Sequence, residues 1–252
     1  MSLLQKVSRE VDSEHTTPTP FYGYPPTFSQ NMVYEIQTIL DNIRMADKGG
    51  SLHVIGVAAS TPQEGATTIA TALALFAGES RLADEAPQFG KSLQGRAARR
   101  LLVDAQFHHP TIHSVFGLPM APGLADFLRQ EAPPPSIRHD LEQLSLSVIP
   151  AGNVEKDLFG RVDSHQMRLL LGAAREEFDT IFIDLPPVLR FPESKLLSQL
   201  CDGVVLVVGS GQSRREAVEE ARETLEKAEV KVLGAVLNRR EFFIPAALYR
   251  LF

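Results

Sequence analysis

VIGVAASTPQEGATTIATALALFA, residues 54–77, opens as a β-branched run, passes through a Ser/Thr/Pro/Gly turn and ends as an Ala/Leu-rich run at helical spacing. That succession predicts a strand, a phosphate-binding loop and a helix. A loop of the form G-x-x-x-x-G-K-[ST] ending its glycine pattern at Gly65 would have Gly at 60, Lys at 66 and Ser or Thr at 67. The chain has Ser60, Ala66 and Thr67. The scaffold of a nucleotide site is present without its cation.

The backbone N–H groups of residues 63–68, at a helix N-terminus, can still receive an anion. Gly65 admits close approach of a phosphate, Thr68 extends the row of donors, and the Thr67 hydroxyl can reach Mg²⁺. A lysine would follow the β- and γ-phosphates through phosphoryl transfer; the Ala66 methyl cannot. Losing such a charge-assisted contact costs about 2–4 kcal/mol, roughly 30- to 1000-fold in binding or rate. Slow chemistry and weak binding of ATP or ADP with Mg²⁺, or none, are expected.

At 252 residues and 44% hydrophobic content, the chain is long enough for an α/β domain with a full core. A formal charge of −6 argues against nucleic acid as a main partner. The single cysteine, Cys201, excludes an intramolecular disulfide and suits a reducing compartment. No apolar run approaches the roughly 20 residues that span a bilayer, so a cytoplasmic protein is expected.

Outward from the loop, residues 1–30 are rich in Ser, Thr and Pro (HTTPTPFYGYPPTFS) and predict a flexible arm. The arm either wraps the domain or docks a partner through Phe21, Tyr22 and Tyr24. Met32, Tyr34, Ile36, Ile39, Leu40 and Ile43 give residues 31–45 a helical stripe closed by Gly49 and Gly50. Residues 79–100 read as a surface loop whose end, with Arg96, Arg99 and Arg100, is basic. Leu101–Asp104, Leu141–Ile149, Thr180–Asp184, Gly203–Gly209 and Val230–Asn238 read as buried strands. Residues 164–178 and 214–228 read as helices. This alternation predicts an α/β fold, a parallel sheet sandwiched by helices, in one domain over residues 31–252. Asp104 and Asp184, at strand C-termini, should face the loop's crevice; a turn cap before Pro186 is the other reading of Asp184. The apolar tail EFFIPAALYRLF (241–252) reads as an edge packed on the domain or a segment for docking.

Three stretches carry more than a generic phosphate loop: STPQEGATT (60–68), LLVDAQFHHPTIHSVFGLPMAPGLADFL (101–128) and FDTIFIDLPPVL (178–189), followed by VLGAVLN (232–238). Together they resemble the bacterial tyrosine-kinase family that controls capsule and exopolysaccharide export. That family is a branch of the deviant P-loop ATPases that also include the cell-division and partitioning ATPases. The resemblance runs from about Tyr34 to Asn238, and residues 109–128 are its most specific part. It implies a P-loop NTPase-like fold and ATP or ADP near Gly65, Ala66, Thr67, Thr68 and Asn238. It also implies Mg²⁺ at Thr67, Asp104 and Asp184. The last two would be catalytic if the chain is active. The implied partner is an inner-membrane polysaccharide co-polymerase, or chain-length regulator, that recruits the cytosolic domain to the membrane.

The departures point away from catalysis. Position 66 is Ala where the family has Lys, and position 106 is Gln where it has a second Asp. His108 and His109 replace an arginine pair, and Glu193 stands for the acid after Pro186–Pro187. The helical Glu/Arg motif of ring assembly lacks its arginine near Tyr34–Asp41, so any self-association would use other contacts. The tyrosine tail is reduced to Tyr249. Losing one lysine and one acid from the same crevice cancels in formal charge, which makes Ala66 and Gln106 a compensating pair. The expectation is an inactive, kinase-like scaffold or regulator. The alternative is an active tyrosine autokinase or ATPase using Arg190, or an arginine of residues 96–100, as substitute cation. A metal site at His108, His109 and His113 is opposed by Pro110, which breaks the helix their spacing would need. Cys201, beside a buried strand, reads as a small hydrophobe.

Overall fold

The computed structural model describes residues 28–47, 50–78, 98–154 and 164–239. The expected arm up to residue 27, most of the 79–100 segment and the tail from residue 240, with Tyr249, lie outside the described residues. The helices are α1 (Gln30–Ala46), α2 (Ala66–Phe76), α3 (Ile112–Val115), α4 (Leu124–Leu128), α5 (Ser164–Glu177), α6 (Pro192–Ser198) and α7 (Arg215–Lys227). The strands are β1 (Val54–Ala59), β2 (Arg100–Asp104), β3 (His139–Leu141), β4 (Leu146–Ile149), β5 (Thr180–Asp184), β6 (Gly203–Gly209) and β7 (Val232–Asn238). They form a seven-stranded sheet in the order β3-β4-β2-β5-β1-β6-β7.

Every pairing is parallel except β3 with β4. The stretch expected as one strand over Leu141–Ile149 is in fact two. Leu141 ends the antiparallel edge strand β3, and the turn through Glu142–Leu144, with Ser145 at φ 48°, reverses the chain into β4. Leu141, Leu144 and Leu146 lie on either side of the two polar residues Glu142 and Gln143, a break too short to mark the reversal by composition alone.

The inner strands are buried on both faces, and their side chains alternate with the pleat. Val54, Leu101, Val103, Ile181, Ile183, Val204 and Leu206 point to one core with Met167, Leu170 and Leu171 of α5 and Leu225 of α7. Ile55, Val57, Leu102, Phe182, Val205 and Val207 point to the other, with Ile36, Leu40 and Ile43 of α1 and Ile69 and Leu73 of α2. Full burial of each such side chain contributes about 1.5–3 kcal/mol. The buried stripe of α1 is Val33, Ile36, Leu40 and Ile43, at true helical spacing. Tyr34, expected within it, is 55% exposed.

Arg100 corrects the expected solvated loop end. It opens β2, is buried, and donates to the carbonyls of Ala74 (3.1 Å), Leu75 (2.5 Å) and Leu144 (2.5 Å). Arg44 of α1 donates to Ala77 O at 3.0 Å. Two guanidinium groups thus meet the carbonyls at the C-terminal end of α2, where the helix dipole favours cations. No helix among the described residues is long and apolar enough to cross a membrane.

Candidate functional site

The parallel strands bring their C-terminal ends to one edge, and β1 lies between β5 and β6 there. From β1 the chain turns through Ser60–Gly65 into α2. Gly65 has φ 92°, and a Cβ on it would lie 2.2 Å from Asn238 Nδ2, so both conformation and space require glycine. Asn238 Nδ2 donates to Glu64 O at 2.9 Å, which ties the end of β7 to the loop. Gln63 holds φ 69°, a left-handed conformation costly for a residue with a Cβ.

Glu64, absent from the expected site, organises the turn. It is 1% exposed and accepts from Ser60 N (2.8 Å), Ser60 Oγ (2.8 Å), Thr61 N (3.1 Å), Thr61 Oγ1 (2.8 Å) and the Ser213 hydroxyl. Five donors make its burial tolerable. The Thr61-x-x-Glu64 spacing, a capping-box pattern, is the local signal that could have revealed it. Among the described residues, no acceptor is recorded for the backbone N–H groups of residues 63–68. Gly65, Ala66, Thr67 and Thr68 therefore leave their N–H groups open at the start of α2, the arrangement that suits an anion.

Asp104 and Asp184 face each other in register on β2 and β5, and both are fully buried. Asp104 accepts from Gln106 N at 3.0 Å and Ile112 N at 3.2 Å. Burial outweighs these contacts and pushes its carboxyl up to about 7. Asp184 is raised well above the usual carboxylate range, first by burial and then by Asp104, with Thr67 opposing. Neither Asp184 oxygen is engaged by a well-formed hydrogen bond, and the nearby Thr67 hydroxyl favours its ionised form. A turn-cap role for Asp184 is thereby corrected, because a cap would accept from a neighbouring N–H. Two orphaned oxygens, a facing carboxylate and a hydroxyl at the foot of α2 fit a hydrated divalent cation. With the open N–H row they fit the phosphates of a nucleotide.

Gln106 lies beside this pair. Its Nε2 approaches Leu185 O at 3.4 Å, and its Oε1 is buried without a partner. Two departures noted separately in the sequence come together next to it. His108 Nε2 meets Glu193 Oε1 at 2.5 Å, and its ring stacks on Phe191 with centroids 3.5 Å apart. Glu193 is 3% exposed, on the first turn of α6. The pairing spans 85 positions, beyond the reach of local sequence reading. His113 instead meets Ser114 Oγ through Nε2 at 2.9 Å. Among the described residues, no three His, Cys, Asp or Glu side chains form a metal-holding group. Cys201 Sγ lies 3.5 Å from Leu197 O, and burial raises its thiol pKa, which keeps it unreactive.

The proposed substitute cations fare unequally. Arg100 is buried at the N-terminal end of β2, the edge opposite the site, and Arg99 there pairs with Glu177 at 3.5 Å. Neither can serve the loop from that edge; Arg96 lies outside the described residues. Arg190 is exposed, and the N–H of its neighbour Leu189 donates to Ser60 O at 3.2 Å. It alone of the described candidates stands at the loop. Among the described residues, Glu64, Asp104 and Asp184 form no ion pair.

The block around α4, the most specific part of the sequence resemblance, packs closely against the end of β4. Asp126 accepts from Gly123 N (2.7 Å), Asn153 N (3.1 Å) and Arg129 (2.9 Å). A Cβ on Gly123 would lie 2.4 Å from Pro150 O, so only glycine lets α4 sit against the end of β4.

No family model matches the chain. The tyrosine-protein kinase YwqD of Bacillus subtilis is 28% identical over 208 residues, covering 82% of this chain and 81% of that protein. The succinoglycan biosynthesis transport protein ExoP of Rhizobium meliloti is 26% identical over 197 residues, which cover 77% of this chain and 23% of that larger protein. The solved kinase domain of VpsO superposes with a TM-score of 0.69 at 26% identity, covering 82% of this chain and 94% of that domain. Structures of the cell-division ATPase MinD, at 20 and 21% identity, share the fold alone. The chain is thus a relative of the bacterial tyrosine-protein kinases, built on the P-loop fold that they share with MinD.

Proposed function

We propose that this chain is a catalytically silent relative of those kinases that acts in the cytoplasm as a regulator or scaffold of exopolysaccharide or capsule assembly, partnered with a membrane co-polymerase. One observation carries the reading. Position 66, where a phosphate loop places its lysine, is a buried alanine methyl. The two strand-end acids remain beneath it without a countercharge among the described residues. Phosphoryl transfer moves negative charge through that spot, and none of the described residues fixes a positive charge there to receive it. The context of polymer export rests on the kinship with YwqD, VpsO and ExoP, the last named for succinoglycan biosynthesis. The site would bind nucleotide weakly, with Mg²⁺ held by Thr67, Asp104 and Asp184.

The test has a biochemical and a cellular arm. Purified protein with ATP and Mg²⁺ is expected to form no phosphotyrosine and to bind ATP more weakly than about 100 µM. In the source cell, deleting the chain is expected to change polymer yield or length, and Asp184→Asn is expected to restore it fully. Phosphotyrosine that disappears in Asp184→Asn would overturn the reading. The position of Arg190 favours one second reading, an active kinase using that arginine. It requires turnover that Arg190→Ala abolishes.

A further inference from the structure

The residues that survive at the loop are not an evenly weakened nucleotide site. We infer that the site, on the reading just given, selects a nucleoside diphosphate over the corresponding triphosphate. The open N–H row of residues 63–68 serves the phosphate lodged against the start of α2, and this row does not depend on the side chain at 66. Thr67 and the orphaned Asp184 oxygens provide for a cation beside that phosphate. A diphosphate therefore finds most of what an intact loop offers.

A third phosphate meets different surroundings. The lysine that reaches the outermost phosphate is replaced by a methyl group, and the neighbouring second-motif position is the neutral Gln106. The ionisable groups close by are the carboxyls of Glu64, Asp104 and Asp184, none ion-paired among the described residues, and the one described cation at the loop, Arg190, is exposed to solvent. Among the described residues the added negative charge gains no buried cation, and it opposes ionisation of the buried acids beside it. The preference comes from an asymmetric loss, and Ala66 determines it.

Calorimetry with Mg²⁺ and either ADP or a non-hydrolysable ATP analogue tests this directly, with inorganic pyrophosphate as a third probe. ADP is expected to bind at least tenfold more tightly than the analogue. Pyrophosphate should compete with ADP, because the loop reads phosphates. Ala66→Lys is expected to tighten the analogue at least tenfold and ADP by much less, closing the gap. Circular dichroism of Ala66→Lys checks that it folds, and Thr67→Val in the native background should weaken ADP. Equal affinities, a preference for the analogue, or no binding of either nucleotide would overturn the selectivity. The last result, with no phosphotyrosine, leaves the silent-scaffold reading standing, whereas phosphotyrosine formation would remove that reading.

Discussion

Asp104 makes a pH dependence that a single substitution isolates. Its carboxyl is pushed by burial from an ordinary 3.8 up to about 7, so the folded chain holds a proton that the unfolded chain has released. The stability this gives is fully present below the ordinary value and is lost as pH rises from about 4 through 7. Asp202 works in the opposite sense. Its contacts with Arg175, at 2.7 and 2.9 Å, and with the N–H groups of His53 and Val54 hold it below the ordinary range. Its contribution is lost as pH falls below that range. The difference in denaturant midpoint between native chain and Asp104→Asn is therefore expected to change through pH 4–7, the native chain losing more stability as pH rises; a flat difference would refute the assignment. Gln63 offers a second case at this scale. Relief of its left-handed backbone, about 1–2 kcal/mol, exceeds the entropic cost of glycine, about 0.5–1 kcal/mol. Gln63→Gly is expected to raise the thermal midpoint by about 1–4 °C, and an unchanged or lower midpoint would show the strain to be absent. Gly65, Thr67, Asp104 and Asp184 were legible because each sits at a fixed offset in a short motif. The His108–Glu193 pair was not, because its partners lie 85 positions apart; Glu64 was missed although its Thr61-x-x-Glu64 spacing is local, because a phosphate-loop reading fixes attention on the glycine and lysine positions.

The strands and long helices were legible in the sequence because each inner strand is a short unbroken apolar run and each long helix keeps the 3.6-residue period over most of its length. The elements that escaped lack such a run. β3 is three residues long, and the two polar residues that follow it are too short a break to mark the reversal. Arg100 ends a charged stretch, and charge at a loop end ordinarily means solvent. Its burial follows from the carbonyls it finds at the end of α2, a tertiary fact. Arg100→Met keeps the aliphatic stem and removes three donated bonds, leaving Ala74, Leu75 and Leu144 carbonyls to find other partners. Bonds to a charged group are worth about 1.5–3 kcal/mol, partly offset here by relief of burying a charge. A net loss of about 2–4 kcal/mol is expected in urea unfolding, with circular dichroism confirming native helix content. Arg99→Met, one position earlier and half-exposed in its pairing with Glu177, is expected to lose less than about 1 kcal/mol. Similar losses for both would mean that the clamp on α2 contributes nothing special.

For the molecule as a whole, the same acid pair that is idle without a cation becomes a handle on global stability. Two facing carboxyls in the middle of a seven-stranded sheet repel when both ionise, and a cation bound only by the folded chain stabilises it by mass action. A proton and a divalent cation compete for these oxygens. Magnesium should therefore raise the thermal midpoint at pH 8, where the proton has largely left Asp104, and should do so much less at pH 5.5, where it remains. At a concentration ten times the dissociation constant the gain is about 1.4 kcal/mol, or roughly 3–6 °C for a chain of this length. Calcium, with its looser coordination, is a useful companion probe. Asp184→Asn removes one of the two charges while keeping the strand intact, and its midpoint is expected to ignore the cation at both pH values. An equal rise at pH 5.5 and pH 8, or a rise that survives in Asp184→Asn, would place cation binding on the acidic surface and leave the buried pair as a structural neutral couple.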